Sequence, residues 1–329
     1  MAQIEKRLTE KTLKKRKMKN VIIIRPKSRE EWLKLRSCGI GSSEVATVAG
    51  VNPYETPYQL WRRKKGLDAP KAETFAMKAG HYLEDAVARF WADETGRKVI
   101  QRSAGDWLIR RADKPIFQVS PDRTYWLGES KSEGRGILEC KTTQKTVDRD
   151  DLPSTWFCQV QYLLGTAGLE RGSLAWLTAG REFGYADLRL VPDFYGWLCE
   201  EVERFWTDYI EGDGVPPLSS TNDVLAHFAG SSPGKAVQAT EEIVAAVQSL
   251  HDVKGELADL EARRDALEEA IKLYMQDAEE LWCNGETLAT WKSGKASRKF
   301  DAKAFCAANA EEAAKWMVEQ KGSRRFVLK

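Results

Sequence analysis

The sequence lacks several features that mark common classes of protein. No apolar run approaches the roughly 20 residues that a membrane-spanning helix needs, and no apolar core of a secretory signal stands near the start. None of the six cysteines belongs to a C-x-x-C pair, which argues against a disulfide framework, a zinc ribbon and an iron–sulfur cluster. They are Cys38, Cys140, Cys158, Cys199, Cys283 and Cys306. We therefore expect a cytoplasmic protein with reduced thiols and no membrane contact.

Composition and charge fit a soluble protein of ordinary size. The 329 residues, 42% of them hydrophobic, can bury a sizeable core. The net charge of +2 conceals a basic start, since residues 1–20 carry eight Lys/Arg against two Glu, giving 8 − 2 = +6. Such a tail is attracted to polyanions, although a solvated tail without that role is an equally good interpretation. We predict a basic, disordered tail over residues 1–20.

Two larger regions follow this tail. Residues 21–230 mix apolar runs, turn signals and amphipathic segments, as is typical of an α/β or α+β domain. The stretch GSSPGK, residues 230–235, has the composition of a linker. The sequence therefore predicts a domain over residues 21–230 and a C-terminal extension over residues 231–329.

The extension is predicted to contain a long acidic helix. Apolar or small residues recur at alternating spacings of 4 and 3 from Val253 to Leu281, broken only at Arg264. Residues 238–281 hold twelve Asp/Glu against four Lys/Arg, so 4 − 12 = −8, and such a surface repels a phosphate backbone. The helix should pack on protein, either within the chain or as an intermolecular coiled coil. The stretch NGETLATWKSGKASRKF is predicted to form a hairpin, with Asn284-Gly285 and Ser293-Gly294 as turn signals and strands between and beyond them. A terminal amphipathic helix is predicted over residues 302–320.

One short stretch, GILECKTT, points to chemistry. In an extended segment Glu139 and Lys141 share a face. Asp122, in the turn-like stretch SPD, lies 139 − 122 = 17 positions before Glu139, and the loop GESKSEGRG separates two apolar segments. Two adjacent strands joined by this loop would bring the carboxylates together, where they repel each other unless a divalent cation lies between them. Mg²⁺ prefers such oxygen ligands.

Further residues complete a candidate site for phosphodiester hydrolysis. Lys141 could orient or deprotonate the attacking water, or stabilise negative charge on the phosphate. Glu84, at the border of the apolar face of a predicted helix, could add a third carboxylate, and Gln159 lies on a later helix. Taken singly, E-x-K more often closes a strand end as an ion pair, and a helical glutamate is most often solvated. The combination favours a nuclease.

The order of these motifs resembles the YqaJ-type viral recombinases, whose best-known relative is the lambda-type exonuclease of the PD-(D/E)XK nuclease superfamily. The resemblance runs through LKLRSCGIGSSEVATVAGVNPYETPYQLW, AGHYLEDAVARF, SPD, ILECK and CQVQYLLGTAG, about residues 29–190. It implies a restriction-endonuclease-like α/β (α+β) core, with a central mixed sheet flanked by helices. The C-terminal helical and β-hairpin extension goes beyond the compact lambda-type nuclease.

The resemblance also implies roles for individual residues. Asp122 and Glu139 would be metal ligands together with the backbone carbonyl of Cys140, and Lys141 would be the catalytic lysine. Glu84 resembles the helical glutamate that supports the metal site and could itself be a ligand, and Gln159 resembles the glutamine that follows the core strands. Mg²⁺ is the implied cofactor, and Mn²⁺ is expected to substitute for it.

Arg36, Ser42 and Ser43 are candidates for binding the terminal 5′-phosphate of DNA. The resemblance points to Arg36 and Ser43. The sequence GSS before the apolar run that starts at Val45 also predicts a helix N-terminus whose free N–H groups attract an anion, with Arg36 as a bidentate partner. Without the resemblance, a plain helix cap beside a solvated arginine would be the better interpretation.

The predicted function is a metal-dependent DNA exonuclease of phage or prophage recombination, in the host cell cytoplasm if the chain is phage-encoded. It would resect the 5′-ended strand at double-stranded DNA ends and leave 3′ single strands for a single-strand annealing protein. The resemblance implies a homo-oligomer, a trimeric ring. Two alternatives remain: an endonuclease or nickase of the same fold, and a non-catalytic module that binds DNA ends.

Overall fold

The structure, a computed structural model, describes residues 20–69, 73–100, 107–129, 133–228, 230–318 and 322–329. Apart from Asn20, the predicted basic tail lies outside these ranges, as does part of the loop before Glu139. The chain divides into two units, Met1–His227 and Phe228–Lys329.

The first unit contains eight strands and seven helices among its described residues. The strands are β1 (Val21–Ile24), β2 (Val99–Ile100), β3 (Leu108–Arg111), β4 (Gln118–Val119), β5 (Arg123–Trp126), β6 (Arg135–Thr143), β7 (Arg171–Thr178) and β8 (Glu182–Arg189). The helices are α1 (Arg29–Ser37), α2 (Val45–Val48), α3 (Pro57–Lys64), α4 (Phe75–Thr95), α5 (Ser154–Ala167), α6 (Pro192–Phe205) and α7 (Thr221–His227). A π-helical segment, Trp206–Glu211, continues α6.

Local sequence signals set the ends of the helices that carry the site. The Thr74 side chain accepts the Met77 N–H and caps α4, and Gly96, with a φ of 68°, ends it. At the end of α5, Gly168 adopts the same left-handed conformation, with a φ of 69°. A glycine enters this region without the steric cost of a Cβ, so both helices stop cleanly before the strands that follow.

A five-stranded mixed sheet forms the centre of the first unit. Its strand order is β2-β5-β6-β7-β8, with β6 and β7 parallel and every other pair antiparallel. One core, between α4 and the sheet, contains Val87, Ala88, Trp91, Tyr125, Leu138 and Ala175. The other core contains Ile137, Leu174 and Trp176 with Val160, Leu163 and Leu164 of α5. Because Ile137 and Leu138 are neighbours in β6 and lie in different cores, helices cover both faces of the sheet. The predicted α/β fold, a central mixed sheet flanked by helices, is confirmed.

A smaller antiparallel sheet, ordered β1-β3-β4, positions the segment between α1 and α2. Ile40 pairs with Phe117, and the Ile40 N–H donates to the Ile116 carbonyl at 2.8 Å. A Cβ on Gly39 would lie 2.5 Å from the same Ile116 oxygen, so only glycine allows this close approach. The segment is thereby fixed against the sheet.

The second unit consists of a long helix, a hairpin and two short helices among the residues described. They are α8 (Glu241–Met275), β9 (Glu280–Cys283), β10 (Glu286–Thr290), α9 (Ala302–Ala308) and α10 (Ala310–Lys315). The predicted turn at Asn284 and Gly285 is present, with φ values of 52° and 84°. The strand predicted beyond Ser293-Gly294 is wrong, because residues 291–300 form no strand and β10 pairs instead with β9, before the turn.

The long helix differs in its limits from the apolar pattern that predicts it. It begins at Glu241 because Thr240 caps its first turn, and it ends at Met275 because Gln276 adopts a φ of 50°. Leu281, the last apolar position of the pattern, lies in β9 instead. The terminal helix predicted over residues 302–320 is likewise two short helices that meet at Asn309. No helix in the described ranges is long and apolar enough to cross a membrane.

Candidate active site

The central sheet brings Asp122 and Glu139 together. Strands β5 and β6 pair with Arg123 opposite Leu138, so Asp122, which immediately precedes β5, lies near Glu139. The Asp122 Oδ2 atom accepts the Cys140 N–H at 2.8 Å. This hydrogen bond fixes the carboxylate of Asp122 at the edge of β6.

Lys141 and Gln159 bind the same oxygen of Glu139. The Lys141 Nζ donates to Glu139 Oε1 at 2.7 Å and to Gln159 Oε1 at 2.8 Å. The Gln159 Nε2 donates to Glu139 Oε1 at 2.5 Å. Gln159 reaches the sheet from α5, which packs on the face of β6 to which Glu139 and Lys141 point. The three side chains therefore hold one another in place.

The second carboxylate oxygen of Glu139 has no such support. Glu139 is 2% exposed, and its Oε2 atom is buried without a hydrogen-bond partner among the described residues. Buried polar atoms in native proteins nearly always have a partner, and a buried carboxylate oxygen is costly to leave without one. The missing partner must be a donor or a cation that can enter the cleft.

The electrostatics of the site favour a cation. Burial, followed by repulsion from Glu139 and Glu84, raises the pKa of Asp122 well above its usual range. Burial also raises the pKa of Glu139. Both carboxylates are thus destabilised in their charged forms, and a divalent cation between them would remove the repulsion.

The side chains of Cys140 and Lys141, the other two residues of the predicted metal site, differ in charge. Burial, with Asp122 and Glu139 nearby, raises the pKa of the Cys140 thiol well above its usual range. The thiol stays protonated, so the Cys140 main-chain carbonyl is the group available as a ligand. For Lys141, burial alone would lower the pKa, but attraction to Glu139 and Asp122 outweighs burial and raises it. Lys141 is therefore a fixed positive charge.

Glu84 is engaged by a residue that the motif analysis missed. The buried Arg123 guanidinium forms ion pairs with Glu84 and Asp85 of α4 and also donates to the Asp122 carbonyl oxygen at 2.7 Å. Arg123 directly follows the SPD stretch, but its burial depends on α4 packing against the sheet, which no local pattern reveals. Across the described ranges, no group of three or more His, Cys, Asp or Glu side chains is arranged to hold a metal. Asp122 and Glu139 are thus the carboxylate pair, and a ligand role for Glu84 stays a prediction.

Arg36 lies beside Ser43, but the predicted helix start at Ser42 and Ser43 is wrong. Helix α2 begins at Val45, has Glu44 as its N-cap and is only four residues long. The Gly41 N–H already donates to Glu44 Oε2 at 2.9 Å. The Arg36 guanidinium donates to the Ser43 hydroxyl and lies over the Trp32 ring, 4.8 Å from its centroid. Side chains, and not a helix terminus, are the groups that can meet an anion here.

Glu44 owes this position to a buried ionic network. Its carboxylate lies 2.9 Å from Lys64 Nζ and from Arg63 Nη1. Burial alone would raise the pKa of Glu44, but Lys64, Arg36 and Arg63 lower it to about 2. Lys64 also donates to the carbonyl oxygen of Gly39 at 2.6 Å and of Arg36 at 3.2 Å. The network fixes the backbone that carries Arg36, and the sequence gives no sign of it because its members are up to 28 positions apart.

One cleft of about 470 Å³ joins both groups of residues. All nine residues predicted from the sequence line it: Arg36, Ser42, Ser43, Glu84, Asp122, Glu139, Cys140, Lys141 and Gln159. Arg29, Trp32 and His81, which the motif analysis did not select, line it as well. The cleft thus contains a carboxylate pair, a fixed lysine and an arginine–serine pair.

Comparisons with known proteins agree with the family expected from the motifs. Residues 31–170 match the YqaJ-like viral recombinase domain. A protein of Bacillus subtilis (strain 168) described as uncharacterized protein YqaJ is 29% identical over 276 residues, which cover 80% of this chain and 83% of that one. The resemblance stated from the motifs is thereby confirmed.

The solved structures are less similar to this chain than the Bacillus subtilis protein is. An alkaline exonuclease from Laribacter hongkongensis is 17% identical, with a TM-score of 0.43, over 55% of this chain and 93% of its own. A phage-related exonuclease from Haemophilus somnus 129PT is 8% identical, with a TM-score of 0.37, over 53% of this chain and 94% of its own.

Proposed function

We propose, from the match of residues 31–170 to the YqaJ-like viral recombinase domain, that the chain is a metal-dependent DNA exonuclease of phage or prophage recombination. It digests the 5′-ended strand at double-stranded ends and leaves a 3′ single strand for an annealing protein. The observation that carries the proposal is the buried Glu139 Oε2 atom, which lacks a partner among the described residues and adjoins Asp122 and Lys141. The annealing partner and a trimeric assembly stay predictions.

The donor set of the site fits Mg²⁺. Asp122 and Glu139 supply carboxylate oxygens, and the main-chain carbonyl of Cys140 supplies a neutral one, which are the ligands that Mg²⁺ prefers and that Mn²⁺ also accepts. When bound, such an ion supplies Lewis acidity toward the phosphate and lowers the pKa of water. The raised pKa values of Asp122 and Glu139 mean that binding also relieves the repulsion built into the folded protein.

Lys141 acts as a positive charge in this proposal. Two of its three N–H donors are directed to Glu139 and Gln159, which leaves one for a phosphate oxygen. In the metal-free protein Glu139 and Asp122 raise its pKa, and in this proposal its positive charge stabilises the negative charge that develops on the phosphate. Gln159 acts through Glu139 and Lys141, because its amide holds both of them in one geometry.

End recognition is proposed for the arginine–serine pair. Arg36 and Ser43 line the same cleft as Glu139 and Lys141, and the buried Glu44 network fixes the backbone of Arg36. A guanidinium presents two parallel donors to a phosphate, and a terminal 5′-phosphate carries charge that internal linkages lack. A duplex end bearing a 5′-phosphate should therefore be the preferred substrate.

Arg29 provides a matched control for this role. Its guanidinium lies over the same Trp32 ring, 4.1 Å from the centroid, and it lines the same cleft, but only Arg36 is bonded to Ser43. We expect Arg36→Ala to reduce the preference for 5′-phosphate over 5′-hydroxyl ends by roughly ten- to a hundredfold, the equivalent of a lost charge-assisted contact. Arg29→Ala removes the same charge and should leave the preference within about threefold of wild type.

The experiment measures single-turnover digestion of linear duplexes with phosphorylated or hydroxyl 5′ ends, and of closed circular DNA, with Mg²⁺ present. The proposal predicts fast digestion of phosphorylated ends and intact circles. Equal rates on both kinds of end would remove the phosphate site. Cleaved circles would identify an endonuclease of the same fold, and DNA binding without cleavage would identify a non-catalytic end-binding module.

A further inference from the structure

The long helix of the second unit carries a heptad pattern over its whole length, with Arg264 as the one charged residue in it. Positions separated alternately by 3 and 4 residues run from the first turn of α8 to its last. This seam consists of Ile243, Ala246, Leu250, Val253, Leu257, Leu260, Arg264, Leu267, Ile271 and Tyr274. It spans about 47 Å at ~1.5 Å per residue. More than four heptads of this kind are typical of a two-stranded coiled coil.

The seam is open to solvent. Leu257, Leu260 and Leu267 are each more than half exposed, and every other seam residue except the half-buried Leu250 is also exposed. Large apolar side chains aligned on one helix face are costly to leave in water. The seam therefore needs a partner.

Other parts of the second unit contact α8 on its opposite side. The His251 ring lies 3.0 Å from the carbonyl oxygen of Lys329, and Trp291 lies beside Asp265, Glu269 and Lys272. In heptad terms these α8 residues occupy outer positions, away from the seam. The hairpin and the C-terminal segment thus contact the helix at these outer positions, and among the described residues the seam stays exposed apart from the half-buried Leu250.

The charges that flank the seam identify the partner. We propose that α8 pairs with α8 of a second copy of this chain as an antiparallel two-stranded coiled coil. In the pairing that places Leu257 of one copy against Leu260 of the other, the whole seam overlaps from Ile243 to Tyr274. This pairing also sets Lys254 against Glu261 and Glu256 against Arg263.

Each of these two ion pairs occurs twice by symmetry, and no like-charged pair flanks the seam. Among the described residues, none of Lys254, Glu256, Glu261 and Arg263 has an ion pair within its own chain. Their charges are therefore available for the partner.

The parallel arrangement is disfavoured by the same residues. An in-register parallel pair would place Arg264 against Arg264 of the second copy at the centre of the seam. It would also place Glu256 against Glu261 on both sides, and this repulsion offsets the attraction between Arg263 and Glu268 in that arrangement. In the antiparallel pair Arg264 faces Val253, and its aliphatic stem can cover this neighbour while the guanidinium reaches water.

The first test measures the mass of the full chain, 37.2 kDa per copy, by sedimentation over a range of concentrations. We expect Leu260→Asp to separate the paired helices, which lowers the mass of a simple dimer to that of one copy, and to raise the dissociation constant at least about a hundredfold. Leu273→Asp is the matched control, because Leu273 lies outside the seam and is 69% exposed against 62% for Leu260. An unassociated wild-type chain, or equal effects of the two substitutions, would overturn the proposal.

The second test resolves the orientation without placing a charge in the seam. Lys254→Glu and Glu261→Lys should each weaken association about tenfold, and the double variant should restore it to within about threefold of wild type. In a parallel pair, Glu261→Lys would instead strengthen association, because it would face Glu256. Unchanged association in both single variants would contradict the antiparallel pairing.

Discussion

Replacing Asp122 by asparagine should stabilise the metal-free protein while abolishing its response to metal. The Asp122 carboxylate is half-buried, accepts the Cys140 N–H and repels Glu139. An asparagine side-chain oxygen can accept the same hydrogen bond, so the substitution removes the charge and keeps the contact. The folded state of the variant is more stable than that of wild type because an unfavourable buried charge is lost.

The size of the effect follows from the cost of burying an uncompensated polar group. That cost is about 1 to 3 kcal/mol in protein mutational data. For a unit of this size, each kcal/mol corresponds to roughly 2–4 °C in Tm. We therefore expect Asp122→Asn to raise the Tm of the metal-free protein by about 2–12 °C.

The difference in stability between wild type and Asp122→Asn should depend on pH in a defined direction. Since folding raises the pKa of Asp122, the folded state binds more protons than the unfolded state between the two pKa values, and stability falls as pH rises through that window. The destabilisation is fully present above the folded pKa. The gain from Asp122→Asn should therefore grow as pH rises through this window and shrink as the pH falls toward about 4, the pKa of an unfolded Asp.

The assay is thermal unfolding of wild type and variant in EDTA and at several Mg²⁺ concentrations. Wild type should gain stability with Mg²⁺ by mass action, whereas Asp122→Asn should not. Lower metal-free stability of the variant at neutral pH would refute the account of the carboxylate repulsion. An equal gain from Mg²⁺ in both proteins would remove Asp122 from the ligand set.

Three further outcomes test other parts of the site and fold. Lys141→Ala should lower turnover at saturating metal about a hundredfold or more, with metal affinity by calorimetry little changed, and normal turnover would contradict its role. Arg123→Met should lower the free energy of unfolding in denaturant by about 3 to 5 kcal/mol because Glu84 loses its buried partner, and a change below about 1 kcal/mol would contradict the ion pairing. A chain that ends at Phe228 should remain folded and cleave DNA, and insolubility of that chain would contradict the independence of the first unit.

The proximity of Asp122, Glu139 and Lys141 could be predicted because these residues follow local rules. Period-two alternation places Glu139 and Lys141 on one face of β6, and the short connection between β5 and β6 brings Asp122 beside them. The glutamine on α5 follows from the same pattern, since the helix that succeeds the strand packs on that face. The spacing of these residues in the sequence is therefore enough to predict that they lie close together.

The features that sequence analysis missed depend on interactions between residues far apart in the sequence. Ser42 and Ser43 resemble helix caps because serine is favoured there, yet Glu44 is the N-cap, held by Lys64 from a different helix. Arg123 becomes a buried clamp only when α4 packs on the sheet. Helix α8 ends at Met275 because the backbone of Gln276 leaves the helical conformation. The spacing of the apolar residues does not predict this end.

The most direct test of the central claim follows both ends of one linear duplex. Distinguishable labels are placed on the 5′ and 3′ ends of the same strand, and their release is timed for wild type and Glu139→Gln, in Mg²⁺ and in EDTA. The account predicts early release of the 5′ label as a mononucleotide by wild type in Mg²⁺, with no release in EDTA or by Glu139→Gln. Early release of the 3′ label, cleavage in EDTA, or activity of Glu139→Gln within about tenfold of wild type would contradict it.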